Sequence, residues 1–261
     1  NDIEASVKWL REKGILKAQK KQDRETNEGV VSFYHNSSHI NFTVCKIKCE
    51  TDFVAKNNDF LDFAASLSKA IHENKNINEH GTDKDLSGLT INEQSLSDCL
   101  TDLISKIGEN VQIVSYKKYS SDKSIFITYL HNKYNSSCSK IGSVVEISTD
   151  NTDAALKLVD ELKVIAMQIS AMKPMGIDEK SINSKILDDE KDIILKQLNN
   201  VPDDKKDQII NGKLNKFIKE NTLLGQDLIT DPKKSVSSFL REISKNNNIS
   251  LNIASMDLYT I

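Results

Sequence analysis

The side chains with the most reactive chemistry in this 261-residue chain are its four cysteines and five histidines, and several crowd one stretch: His35, His39, Cys45 and Cys49. Such a set invites a zinc site. The stretch that carries both cysteines reads as a strand, however, where four residues span roughly 13 Å. Two thiolates on one zinc must each lie about 2.3 Å from the metal, so no metal site is expected. Cys45, Cys49, Cys99 and Cys138 show no CxxC spacing and point to free thiols in a reducing compartment. No serine, cysteine or histidine carries a local nucleophile signature, so a hydrolase has no sequence support. Neither GxxxxGK[ST] nor GxGxxG occurs, and only nine glycines are present to build one. The chain is therefore not expected to bind a nucleotide or any cofactor itself.

Chemistry of another kind, contact, is concentrated in Cys49-Glu50-Thr51-Asp52-Phe53-Val54-Ala55-Lys56-Asn57. An alternating run, residues 42–48, precedes it and a helix-period segment follows from Asp59, so it forms a strand-to-helix junction. Thr51 and Asp52 have the chemistry of helix caps. Phe53 and Val54 stand where polar turn residues are expected and no catalytic base flanks them. Phe53 either folds back against the next helix or faces a partner, where its burial would contribute roughly 1.5–3 kcal/mol, as in a hot spot. His131 follows a strand at 125–130 and, with Asn132 and Lys133, reads as a loop histidine.

The elements that position these residues are legible from periodicity. Ile3, Val7 and Leu10 make one helical stripe, with Asp2 as N-cap and Gly14 as the stop. Trp9 adds surface that this helix cannot cover alone, so it reads as the last helix of a small bundle that begins before the chain. The basic segment 17–24 reads as a linker. Val31 and Phe33, a polar turn at 35–38, then Ile40, Phe42 and Val44 form a hairpin. Two helices follow, with stripes Phe60, Phe63, Ala64, Leu67, Ile71 and Leu96, Cys99, Leu100, Leu103, Ile104, Ile107. Gly108 caps the second helix, and a strand with Val111 and Ile113 closes a β-β-α-α-β unit.

The pattern then repeats. Strands at 125–130 and 141–147 precede a long helix from near Thr152 that stops before Pro174. A helix with Val236, Phe239, Leu240 and Ile243 leads to a closing strand with Ile249, Leu251 and Ile253. Between the two helices lies an insertion. Leu187, Ile194 and Leu198, a turn at 201–203, and Ile210, Leu214 and Phe217 describe an antiparallel helical hairpin. The fold class is thus α+β: two similar β-β-α-α-β subdomains with antiparallel sheets, an inserted coiled-coil hairpin and the remnant of an N-terminal helical module. The boundaries expected are 1–28 for the helical end and linker, 29–122 for the first subdomain, 123–178 with 224–261 for the second, and 179–223 for the hairpin. The repeat also offers an internal control. Both second strands end in Thr-Asp, Thr51-Asp52 and Thr149-Asp150, after which only the first copy continues with Phe53-Val54.

Composition limits the remaining choices. Hydrophobic residues make up 38% and charged residues 28% of the chain, with 35 basic and 38 acidic side chains giving a net charge near −3. Opposite charges are interspersed, so no single-sign field argues for nucleic acid or a membrane surface, and no apolar run approaches the length of a membrane-spanning helix. Sequons such as Asn36-Ser37-Ser38 are read as products of asparagine richness.

Several blocks together resemble the elongation factor Ts family, the guanine nucleotide exchange factors for elongation factor Tu. The residues 49–57 resemble that family's signature. Trp9-Leu10-Arg11-Glu12-Lys13-Gly14 with Lys17-Ala18 resembles the end of its ubiquitin-associated-like module. Lys106-Ile107-Gly108-Glu109-Asn110, then Ala166-Met167-Gln168-Ile169-Ser170-Ala171 with Lys173-Pro174, then Leu223-Leu224-Gly225-Gln226 match further blocks in the family's order.

The resemblance implies that the chain is an exchange factor rather than an enzyme. Asp52, Phe53 and Val54 would enter the partner GTPase at its magnesium and phosphate region, Ile107 and Gly108 would support them, and His131 would face the partner's third domain. A polar insertion at 132–139 departs from the family pattern, and the first two helices of the N-terminal module and a C-terminal tail are expected to be missing. The alternative is an adaptor that binds a translational GTPase without exchange. A homodimer is compatible with the sequence. Runs such as Asn246-Asn247-Asn248 and abundant lysine, with the missing N-terminus, favour an organelle (mitochondrion or plastid) slightly over a bacterial cytoplasm.

Overall fold

The computed structural model describes residues 3–35, 39–198 and 202–261. The expected cap Asp2, the turn residues 36–38 and Val201 lie outside the described residues, as do the side chains of the Ile3, Val7 and Leu10 stripe. The chain divides into two compact units: Asn1–Asp122, Leu130–Gly142 and Tyr259–Ile261 form the first, and Lys123–Tyr129 with Ser143–Leu258 form the second.

The first unit begins with helix α1 (Ile3–Gln19), which runs through Gly14 instead of stopping there. Gly14 eases a close approach. A Cβ there would lie 3.1 Å from Ser105 Oγ and 3.6 Å from Thr101 Cγ2, both on helix α4 (Leu96–Ile107). The basic segment is accordingly part helix, and Ala18 is buried in the core.

Strands β1 (Glu28–His35) and β2 (Asn41–Cys49) form the expected hairpin, antiparallel from Glu28↔Cys49 to His35↔Phe42. The short helix α2 (Asp52–Ala55) and helix α3 (Asn58–Glu73) follow. Two-residue strands β3 (His80–Gly81), β4 (Thr90–Ile91) and β5 (Gln94–Ser95) lead into α4, and strand β6 (Val111–Ser120) closes the unit against β2. Val30, Cys45, Ile47 and Cys49 from the sheet meet Phe60, Ala64, Leu67, Ile71, Leu103 and Ile104 from α3 and α4 in one core. Burying such side chains is the main driving force for this layer.

β1 is buried along both faces, so its expected alternation does not extend to a solvated side. Phe33, on the face away from Val30, stacks at 6.4 Å on Phe42, which stacks at 4.5 Å on Tyr119.

The second unit repeats the order. It draws on strands β7 (Ser124–Lys133) and β8 (Cys138–Thr149), helices α5 (Thr152–Leu156) and α6 (Val159–Met172), helices α7 (Ser184–Gln197) and α8 (Asp203–Asn221), helix α9 (Val236–Asn247) and strand β9 (Leu251–Thr260). β9 pairs with β8 and β8 with β7, as β6 pairs with β2 and β2 with β1. The expected single helix from Thr152 is two helices. Leu158, at φ −101° and ψ 5°, leaves helical geometry between them, and since it is neither glycine nor proline the apolar period hides the break. Ile194, Leu198 and Ile210 bury one another where α7 meets α8, which is the expected hairpin.

Candidate partner-binding site

The junction after β2 folds into one turn of helix, α2, with Thr51 as N-cap in extended geometry (φ −124°, ψ 159°). Thr51 Oγ1 accepts from the Val54 N–H at 3.4 Å. One turn of helix orders three residues for a single hydrogen bond and is unfavourable alone, so its neighbours must hold it. Val54 is 8% exposed and Ala55 is fully buried, both in the first unit's core. This corrects the expected role of Val54. Its side chain points inward and supports the turn from below.

Phe53, between Asp52 and Val54, is 81% exposed, more than any other large hydrophobic side chain among the described residues. The alternatives left open by the sequence are thereby decided on geometry: Phe53 does not fold back as a staple. Asp52 is tied to Lys56, with Nζ donating to Oδ2 at 2.8 Å. That hydrogen bond is the largest cause that holds the Asp52 carboxyl below its usual range, and it raises Lys56 in turn. Lys140, which pairs with Glu28 at 2.9 Å, adds a weaker pull on Asp52. The knob is thus an aromatic ring beside a fixed ion pair.

Ile107 and Gly108 are brought to the same place by α4. Gly108 adopts the left-handed conformation (φ 82°, ψ 4°) and its N–H donates to the Ile104 carbonyl, a conformation that glycine accepts without a Cβ penalty. Ile107 is half-buried and packs on the core, and Gly108 is exposed. The turn aims Glu109 at the cap of α2: Thr51 N–H donates to Glu109 Oε2 at 3.0 Å and Thr51 Oγ1–H to Oε1 at 2.6 Å. Reciprocally, the Asn110 N–H donates to Glu50 Oε1 at 2.6 Å. Asn110 Nδ2 donates to the carbonyls of Gln22 and Arg24, which fixes the segment after α1. Lys106 and Asp59, 2.7 Å apart, join the end of α4 to the start of α3.

Glu50, Glu109 and Asn110 lie inside the two sequence blocks 49–57 and 106–110, but the sequence alone assigns them no role. What the blocks do not show is that the two carboxylates bond across to each other's segment.

His131 is exposed on β7, which continues to Lys133, so it is a strand residue and not a turn residue. The residues 130–142 that contain it belong to the first unit. Within this strand Asn132 takes φ 54°, and the chain bends at 134–137, where Asn135 Oδ1 accepts from the N–H groups of Ser137 and Cys138.

Burial pushes the Cys49 thiol up to about 12 and the Cys138 thiol up to about 11, and raises Cys45 further. Protonated, buried thiols are poor nucleophiles and poor metal ligands. Among the described residues, no group of three or more His, Cys, Asp or Glu side chains is placed to hold a metal ion.

Residues 50–261 match the family model for elongation factor TS. This chain belongs to the elongation factor Ts family. Elongation factor Ts of Nitratiruptor is 34% identical over 249 residues, covering 94% of this chain and 78% of that protein. Elongation factor Ts of Clostridium perfringens is 32% identical over 246 residues, covering 94% and 78%. That of Alkalilimnicola ehrlichii is 31% identical over 245 residues, covering 92% and 77%. As a member of the elongation factor Ts family the chain is a translation elongation factor. These relatives are bacterial and lend no support to an organelle over a bacterial cytoplasm. Among the described residues, no helix is long and apolar enough to cross a membrane.

Proposed function

We propose that the chain is a guanine nucleotide exchange factor that binds elongation factor Tu and promotes GDP release by disturbing the magnesium and phosphate region of that GTPase. The observation that carries this reading is Phe53, exposed on a capped turn beside an ion pair. An aromatic ring displayed on a rigid support loses little conformational freedom on docking.

No bond is made or broken by the factor itself. It binds the nucleotide-free GTPase better than the GDP-bound form, and linkage then requires that it weaken GDP by the same factor that GDP weakens it. Phe53 acts as the wedge, Asp52 as its polar neighbour, Ile107 and Gly108 as the adjoining surface and His131 as a separate anchor. Val54 supports Phe53 from within. The metal affected is the partner's, and no nucleic acid or membrane takes part.

We also retain the division into a helical end at 1–28, subdomains at 29–122 and at 123–178 with 224–261, and a hairpin at 179–223. Action as a monomer or a homodimer, in a bacterial cytoplasm or an organelle, fits this reading equally.

Release of fluorescent GDP from elongation factor Tu, followed with and without the factor, tests the proposal. Acceleration at catalytic amounts of factor supports exchange. Tight binding without acceleration would leave the adaptor reading and overturn exchange.

A further inference from the structure

In each unit a carboxylate at the end of the second strand receives a backbone N–H from the residue just before the closing strand. Asn110 donates to Glu50 at 2.6 Å in the first unit, and Ser250 donates to Asp150 Oδ1 at 2.8 Å in the second. The contact recurs where no aromatic knob is displayed, so it belongs to the scaffold.

The pair Thr51–Glu109 is different. Both α4 and α9 end in a left-handed residue, Gly108 at φ 82° and Asn248 at φ 51°. The residue after such a cap is ordinarily apolar and folds back on its helix. Ile249 follows that rule in the second unit, 8% exposed in its core. Glu109 occupies the matching position in the first unit, forgoes the apolar contact and gives both carboxylate oxygens to Thr51.

We infer that Glu109 is a positioning residue for exchange, which sets Thr51 as the cap of α2 and thereby the direction in which Phe53 is presented. The inference rests on Phe53 as the partner-contacting side chain. The Thr51 hydroxyl has one proton. Committing it to Glu109 at 2.6 Å leaves the oxygen lone pairs to accept from the Val54 N–H. The charge of the carboxylate strengthens both bonds and lies at the positive end of the turn. Without Glu109 the Thr51 N–H loses its acceptor, the hydroxyl turns freely, and Phe53 docks from a broader set of orientations.

The test is a cycle of four proteins: wild type, Glu109→Gln, Phe53→Ala and the double variant. Two quantities are read: affinity for nucleotide-free elongation factor Tu, and amide hydrogen exchange at Val54 and Ala55. Glu109→Gln is expected to weaken binding roughly tenfold, the scale of one charge-assisted hydrogen bond, and to speed exchange of those two amides but not of Ala154 and Ala155. In the Phe53→Ala background it should weaken binding no further.

Equal weakening in both backgrounds, or unchanged binding in the wild-type background, overturns the inference. If Phe53→Ala by itself binds and exchanges like wild type, the reading of Phe53 fails and this inference with it. A loss in Phe53→Ala with no effect of Glu109→Gln overturns the inference alone. Should Glu109→Gln not fold, Thr51→Val, which removes the hydroxyl that Glu109 holds, goes through the same cycle with the same criteria.

Discussion

The turns α2 and α5 are built alike and displayed differently. Each follows the second strand of its unit, each is capped by a polar side chain, Thr51 or Asn151, and each sets a fully buried alanine, Ala55 or Ala155, three residues after the first helical residue. The second helical residue faces solvent in both. It is Phe53 in the first unit and Asp153 in the second. A scaffold that recurs while one exposed position changes from a charge to an aromatic ring separates what holds the turn from what the turn is for. Solvent gives no reason to place phenylalanine there, and burial against a second protein does.

The largest effect expected from this comparison is on stability and should be shared. Ala55→Leu and Ala155→Leu each force extra methylenes beneath a turn and should each cost about 1–3 kcal/mol, read from denaturant unfolding. A cost at only one site would break the equivalence of the two turns. A smaller effect should have opposite signs in the two units. Gly108→Ala must place a Cβ on a residue at φ 82°, where no neighbouring atom lies within 4 Å, so its cost of about 1–2 kcal/mol is purely conformational. Asn248→Gly relieves the same strain at φ 51° and should be neutral or slightly stabilising by the same measurement.

The smallest stability effect belongs to Asp52. Its ion pair with Lys56 is exposed, and such pairs contribute little. Its folded-state pKa is depressed from the ordinary 3.8, so whatever it contributes is complete above that range and is lost as pH falls through the lower folded value. Melting of Asp52→Asn and of wild type should coincide from pH 5 to 8. A difference that grows across that range would contradict this assignment.

Much of this was legible in the sequence. The stripes of α3, α4 and α9, the hairpin of β1 and β2, and the two β-β-α-α-β units follow from periodicity, because burial on one face imposes it. Phe53 stood out because an apolar residue at a capped junction breaks the usual pattern. Alignment of the two copies on Thr-Asp was two residues out. Thr149 and Asp150 do not cap a helix: Thr149 Oγ1 accepts from the Asn151 N–H, Asp150 accepts from Ser250, and Asn151 is the cap. The repeated dipeptide conceals this, since threonine and asparagine are both favoured N-caps.

Glycine usually ends helices, so the sequence suggests a stop at Gly14, whereas in the fold Gly14 sits inside α1 where α4 comes close. The bond from Thr51 to Glu109 spans fifty-eight residues, and no local pattern reveals which carboxylate will meet which cap. Val54 and Phe53 are equivalent in sequence pattern, and the rotation of about 100° per residue in a helical turn puts one inside and the other out.

The central claim is that Phe53, held out by this turn, drives exchange. The most direct test is the rate of GDP release from elongation factor Tu at saturating factor, wild type against Phe53→Ala. Because Phe53 is exposed, the variant should melt with wild type. Its rate should fall roughly tenfold or more, the equivalent of losing about 1.5–3 kcal/mol of aromatic burial. A folded Phe53→Ala protein that releases GDP as fast as wild type would contradict the account.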